Sequence, residues 1–110
     1  MKLSSEEIQN KILQSYKEIQ ELITEKKEDI FTDKISLRAL ERLTGIFTVN
    51  VKRLKKLHPE WDIPHYKTIL KVKKQILWDC SDLKPSYWQH LLETVLPAIH
   101  KFLSEKQNTP

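Results

Sequence analysis

Glycine is almost missing from this chain: Gly45 is the only one among 110 residues. A single glycine cannot build a phosphate-cradling loop, which needs several positions where backbone meets ligand with no Cβ in the way, so P-loop and dinucleotide-binding chemistry is excluded. Cysteine is as scarce. Cys80 stands alone, which rules out an intrachain disulfide and suits a reducing compartment. No apolar run approaches the roughly 18 residues of a membrane span. The opening MKLSSEEIQN turns acidic and helical where a secretory leader would turn apolar. These absences lead to the expectation of a soluble intracellular chain, in cytoplasm or nucleus.

Helix formers and charge are what the sequence does have. Gly and Pro together number six, 39% of residues are hydrophobic and 31% are charged, which favours an all-α domain of ordinary size over a sheet with its many turns. The net charge of +4 hides an uneven distribution: residues 1–33 carry net −3, residues 34–74 net +8 and residues 75–110 net −1. Positive charge this concentrated favours a polyanionic or acidic partner. The plainer use of such a segment is a pair of well-solvated helices.

Apolar spacing predicts about five helices in one compact bundle over 1–104, with 105–110 as a frayed tail. Ser4 and Glu7 have the spacing of a capping box. Ile8, Ile12, Tyr16, Ile19 and Ile23 then recur every three or four residues, predicting a helix over about 5–27. KKEDIFTD breaks the period, and Thr32 or Asp33 can cap a second helix carried by Ile35, Leu37, Leu40 and Leu43. Gly45 is expected to end it, because glycine adopts the left-handed closing conformation at little cost. Thr48 would cap a third helix, with Val51, Leu54 and Leu57 inward and Lys52, Arg53, Lys55 and Lys56 around the rest. His58-Pro59 stops it.

A fourth helix is expected after Asp62 with Pro64 in its first turn, along Tyr66, Ile69, Leu70, Lys73, Ile76 and Leu77. Its opposite side carries Lys67, Lys71 and Lys74 in one stripe. After a linker around Cys80, a fifth helix should run from about Lys84 with Trp88, Leu91, Leu92, Val95, Ile99, Phe102 and Leu103 inward. Pro97 inside it predicts a kink, at a cost of roughly 3 kcal/mol.

No nucleophile stands beside a base, and no paired carboxylates mark a pocket, so no enzymatic activity and no cofactor are expected. His58, His65, His90 and His100 lack zinc-ligand spacing among themselves and with Cys80, so no metal site is expected either. They read as surface or half-buried histidines. Cys80 reads as a linker or core residue, and Trp61, Trp78 and Trp88 as packing at the core or bundle end.

One constellation rises above this background. In LRALERLTGIFTVNVKRLKKL, residues 37–57, apolar Leu40 lies five before the glycine, Ile46 one after, Val51 six after and Leu54 nine after. The stretch resembles a helix-turn-helix of the kind found in bacterial repressors and many transposition or phage proteins. The resemblance implies a turn at Gly45, a helix-turn-helix over 34–57, and an outward start of the second helix at Phe47, Thr48, Val49, Lys52, Arg53 and Lys56. Arg53 would then read guanine, Val49 or Thr48 would meet a thymine methyl, and Lys52, Lys56, Lys67, Lys71 and Lys74 would bind phosphates. Glu41 occupies the place where the family has a small residue at the helix crossing. Burying its carboxylate unpaired would cost several kcal/mol, so either the crossing is looser or Glu41 reaches solvent, beside Arg38 or Arg42; an unpaired, dry carboxylate at the crossing would rule the motif out. The expected function is duplex DNA binding through the basic segment 47–74, in transcription or DNA transactions.

Two other uses remain. The order of a long helix, a short leucine-rich helix, VKRLKKL and a lysine-rich helix also looks like the N-terminal helical-bundle domain of transcription elongation factors and the related integrase-binding domain. That resemblance implies a module for acidic or disordered partner segments. The isoleucine stripe of the first helix would also serve as a homodimer or protein-partner interface.

Overall fold

The computed structural model describes residues 3–76 and 84–107. The expectations for Leu77, Trp78, Cys80, the linker at 79–83 and the last three residues of the tail lie outside them. Every regular element among the described residues is helical: α1 (Ser5–Lys26), a 3-10 turn (Lys27–Phe31), α2 (Lys34–Leu57), α3 (Tyr66–Lys74), α4 (Pro85–His90), a π-type turn (Leu91–Val95) and α5 (Leu96–Gln107). No helix among them is long and apolar enough to cross a membrane.

The beginning of α1 forms as its sequence directs. The Ser4 hydroxyl accepts from the Glu7 amide at 3.1 Å while the Glu7 carboxylate accepts from the Ser4 amide at 3.2 Å, completing the capping box. Asp33, rather than Thr32, caps α2: its carboxylate accepts from the Ile35 amide at 3.3 Å and from the Ser36 hydroxyl at 2.6 Å. The Ser36 hydrogen bond is the leading reason the Asp33 carboxyl titrates below its ordinary value. α1 and α2 lie antiparallel, since Ser5 at the start of one meets His58 at the end of the other at 2.8 Å. A 24-residue helix is about 36 Å long, so this hairpin sets the 42 Å long axis of the molecule.

The second and third expected helices are one. α2 passes straight through Gly45, and no glycine has positive φ. A glycine inside a helix costs about 1 kcal/mol relative to alanine, but the apolar register here is continuous. Leu40, Thr44, Phe47, Val51 and Leu54 follow one another at helical spacing, and all are 0% exposed. A turn at Gly45 would rotate half of this stripe out of the core, so burial outweighs the local preference. Thr48 is no cap: its hydroxyl donates back to the Gly45 carbonyl at 3.1 Å, as mid-helix threonines do. Positive φ falls instead on Lys27 (φ 50°), at the end of α1, and on His65 (φ 57°), just ahead of α3, each at a cost of about 1 kcal/mol for a residue with a Cβ.

Ile35 and Leu57, expected on the inward faces, are 82% and 49% exposed. α3 begins at Tyr66, leaving Pro64 in the turn before it. Pro85 occupies the first turn of α4. The irregularity expected from Pro97 takes the form of the π-type turn just ahead of it. Leu96 donates to the Leu91 carbonyl five residues back, widening the helix where proline has no N–H to give and its ring would crowd the preceding turn. The helix then continues to Gln107, past the point where the tail was expected to fray. Trp88, Leu91, Val95, Ile99 and Leu103 from this last run pack into the core with Ile12 and Ile19 of α1.

Candidate polyanion interface

The basic segment forms a surface of two helices. Lys52, Arg53 and Lys56 on the last turns of α2, and Lys67, Lys71 and Lys74 on α3, are all exposed. None of the six takes part in an ion pair among the described residues; Arg38 pairs with Glu41 at 2.9 Å and His58 with Glu60 at 3.6 Å. The two helices bring like charges near one another: the ammonium of Lys73, half-buried on α3, feels the charge of Lys52 on α2. Burial first, and then the charge of Lys52, hold Lys73 below the usual lysine value.

Arg53 is positioned by its neighbours on α2. Buried Asn50 donates to the Ile46 carbonyl at 2.8 Å and presents its own oxygen to the Arg53 guanidinium at 3.3 Å. That contact uses one of five guanidinium N–H groups and leaves the rest available to a ligand.

Beside this surface runs an open groove of about 650 Å³ along α2, lined by Glu41, Arg42, Gly45, Ile46, Val49, Asn50 and Arg53, with Lys11 from α1 and Ile76 beyond α3. Gly45 therefore serves through its missing Cβ, where the groove lies close against the helix. The carboxylate of Glu41 is held by Arg38 and remains 20% exposed. It does not sit dry at a helix crossing, because there is no such crossing.

The residues expected at the binding surface divide accordingly. Lys52, Arg53, Lys56, Lys67, Lys71 and Lys74 are outward on neighbouring helices. Thr48 is fully buried and cannot reach a base edge, and Phe47, also placed outward by the helix-turn-helix resemblance, is a 0% exposed core residue. Both follow from the continuous helix, which carries these positions inward. Val49 is half-buried on the groove.

A second cluster at the open end of the helical hairpin was not legible in the sequence. His58 stacks on Trp61 at 3.8 Å with rings 6° from parallel, and Lys106 stands over Trp61 at 5.3 Å. Lys55, read as a solvent-facing cation, donates instead to the carbonyls of Pro59 and Trp61 at 2.8 and 2.5 Å and ties the α2–α3 connection down. Only its place four residues before Pro59, where lysines often satisfy terminal carbonyls, hinted at this. A cavity of about 450 Å³ lies here, lined by Glu6, Gln9, Asn10, Trp61, Lys106 and Gln107. Among the described residues, no three His, Cys, Asp or Glu side chains gather as a cation would require.

No protein-family model matches the chain, and no curated protein or solved structure matches it either.

Proposed function

We propose that this chain is a non-enzymatic domain that binds a nucleic-acid backbone, duplex DNA foremost, on the basic face shared by α2 and α3, in transcription or another DNA transaction. The observation that carries the reading is the gathering of six exposed cations on two neighbouring helices, with Lys73 held near the charge of Lys52 between them. Two ammonium groups held near one another cost energy in the free protein, and an anion between or above them recovers it. The surrounding cations, unpaired among the described residues, extend the site over two helices, a footprint suited to successive phosphates and too wide for one small anion. With no turn at Gly45 there is no short recognition helix to enter a groove tip-first. Binding is then dominated by backbone contacts, which position a protein on nucleic acid without specifying sequence.

An electrophoretic shift series with duplex DNA, single-stranded DNA and RNA tests this. Duplex should bind at low salt, and the Lys67→Ala, Lys71→Ala, Lys74→Ala triple variant should weaken binding by a similar factor on every sequence. If the triple variant binds as tightly as wild type, or no nucleic acid shifts at low salt, the reading fails.

A further inference from the structure

We propose that the groove along α2 is a docking site for an acidic amphipathic helix of a partner protein, bordering the phosphate-binding face and sharing only Arg53 with it. Its floor is aliphatic: Ile46, 37% exposed, with Val49 and Ile76, over the dip left by Gly45. Its rim is cationic, with Lys11 on one side and Arg42 and Arg53 along α2. Glu41, the one carboxylate on the rim among the described residues, is already engaged by Arg38 at 2.9 Å.

This combination selects the occupant. Aliphatic floors reward apolar side chains, while cations at the edge reward carboxylates flanking them, which is the pattern of a helix with leucine-like anchors and acidic neighbours. Nucleic acid suits the groove poorly, because single-strand recognition relies on stacking bases against aromatic rings. No aromatic side chain lines the groove among the described residues. Ile46 and Val49 lie between Arg42 and Arg53 on the same side of α2, so a pair of apolar positions is bracketed by cations along the helix. From Glu41 to Arg53 the floor is about 18 Å long, enough for roughly three turns of a partner helix.

The test is fluorescence anisotropy on the full chain, with a labelled helical peptide of about 16 residues carrying leucines at i, i+4 and i+7 flanked by glutamates. A second peptide has the glutamates replaced by glutamine. The acidic peptide should bind in the micromolar range, and both Val49→Glu and the exposed Arg42→Gln, Arg53→Gln pair should weaken it by about tenfold. The Lys67→Ala, Lys71→Ala, Lys74→Ala variant should leave peptide binding within about twofold while weakening duplex DNA. Thermal unfolding of each variant separates lost docking from lost fold, and the arginine pair stands on the surface where no core is disturbed.

Equal binding of the glutamine peptide overturns the inference, as does peptide binding unchanged in both groove variants. So does loss of duplex binding in Val49→Glu as severe as the loss of peptide, which would make the groove part of the nucleic-acid surface. Failure of duplex DNA to bind anywhere, with the peptide result intact, would refute the nucleic-acid reading and leave the docking site standing.

Discussion

Replacing Lys73 by methionine should make the protein more stable and a weaker anion binder at the same time. Methionine keeps a long apolar stem to pack against α2 but removes the charge held beside Lys52. Lys52 is exposed, so solvent screens the repulsion and keeps it small: about 0.5 kcal/mol, the scale of like-charge pairs on helices. For a chain of this size that is a rise of about 3 °C in Tm. Lys52→Met should give a similar gain, and the double variant less than the sum, because either change alone removes the same repulsion.

The sign with pH follows from the direction of the shift. Lys73 titrates below 10.5 in the folded chain, so between the folded and unfolded values the unfolded chain holds more protons and stability rises with pH. The penalty is complete at neutral pH and fades as pH climbs through the folded value towards 10.5. Thermal melts from neutral pH to about pH 10, near the unperturbed lysine value, should show wild type closing the gap on Lys73→Met. Salt near 1 M should narrow it too, since screening then acts within about 3 Å. Nucleic acid should raise the Tm of wild type more than that of the variant. Loss of stability in Lys73→Met, or strictly additive gains in the double variant, would refute the like-charge repulsion.

Two substitutions test the course of α2. Gly45→Ala should stabilise by about 0.5–1 kcal/mol in denaturant unfolding, because Gly45 has helical φ and the adjoining groove leaves space for a methyl group; a left-handed turn there would instead make alanine costly by about 1 kcal/mol or more. Thr44→Val should stabilise by about 1 kcal/mol in the same assay, since the Thr44 hydroxyl is 0% exposed and has no hydrogen-bond partner among the described residues. A loss in that variant would mean that the hydroxyl is satisfied.

Where local chemistry and core burial point the same way, the fold can be read from residues. Ser4 and Glu7 mark the start of α1, Asp33 the start of α2, and Pro85 the first turn of α4. Gly45 misleads because a local preference, worth about 1 kcal/mol, was set above a longer pattern. The unbroken spacing of Leu40, Thr44, Phe47, Val51 and Leu54 carries more burial than glycine can oppose, but Phe47 looks like an exposed aromatic, and its neighbour Thr48 like a polar cap, once a turn is assumed. The left-handed residues Lys27 and His65 carry no composition signal, since nothing in a lysine or histidine announces positive φ.

At the candidate site, the exposed cations follow directly from charge spacing on two amphipathic helices. The nearness of Lys52 to Lys73 and the groove do not. Both depend on how α3 and α1 lie against α2, a tertiary arrangement that helical periodicity leaves open. Lys55 likewise changed from surface charge to structural donor only because the 58–65 connection folds back over it.

The salt dependence of duplex binding tests the central claim most directly. If Lys52, Arg53, Lys56, Lys67, Lys71 and Lys74 engage the backbone as one surface, the plot of log Kobs against log salt should have a slope of about −5, and removing the three α3 lysines should flatten it by about 2–3. A slope near zero, or one unchanged by the loss of those lysines, would contradict the account.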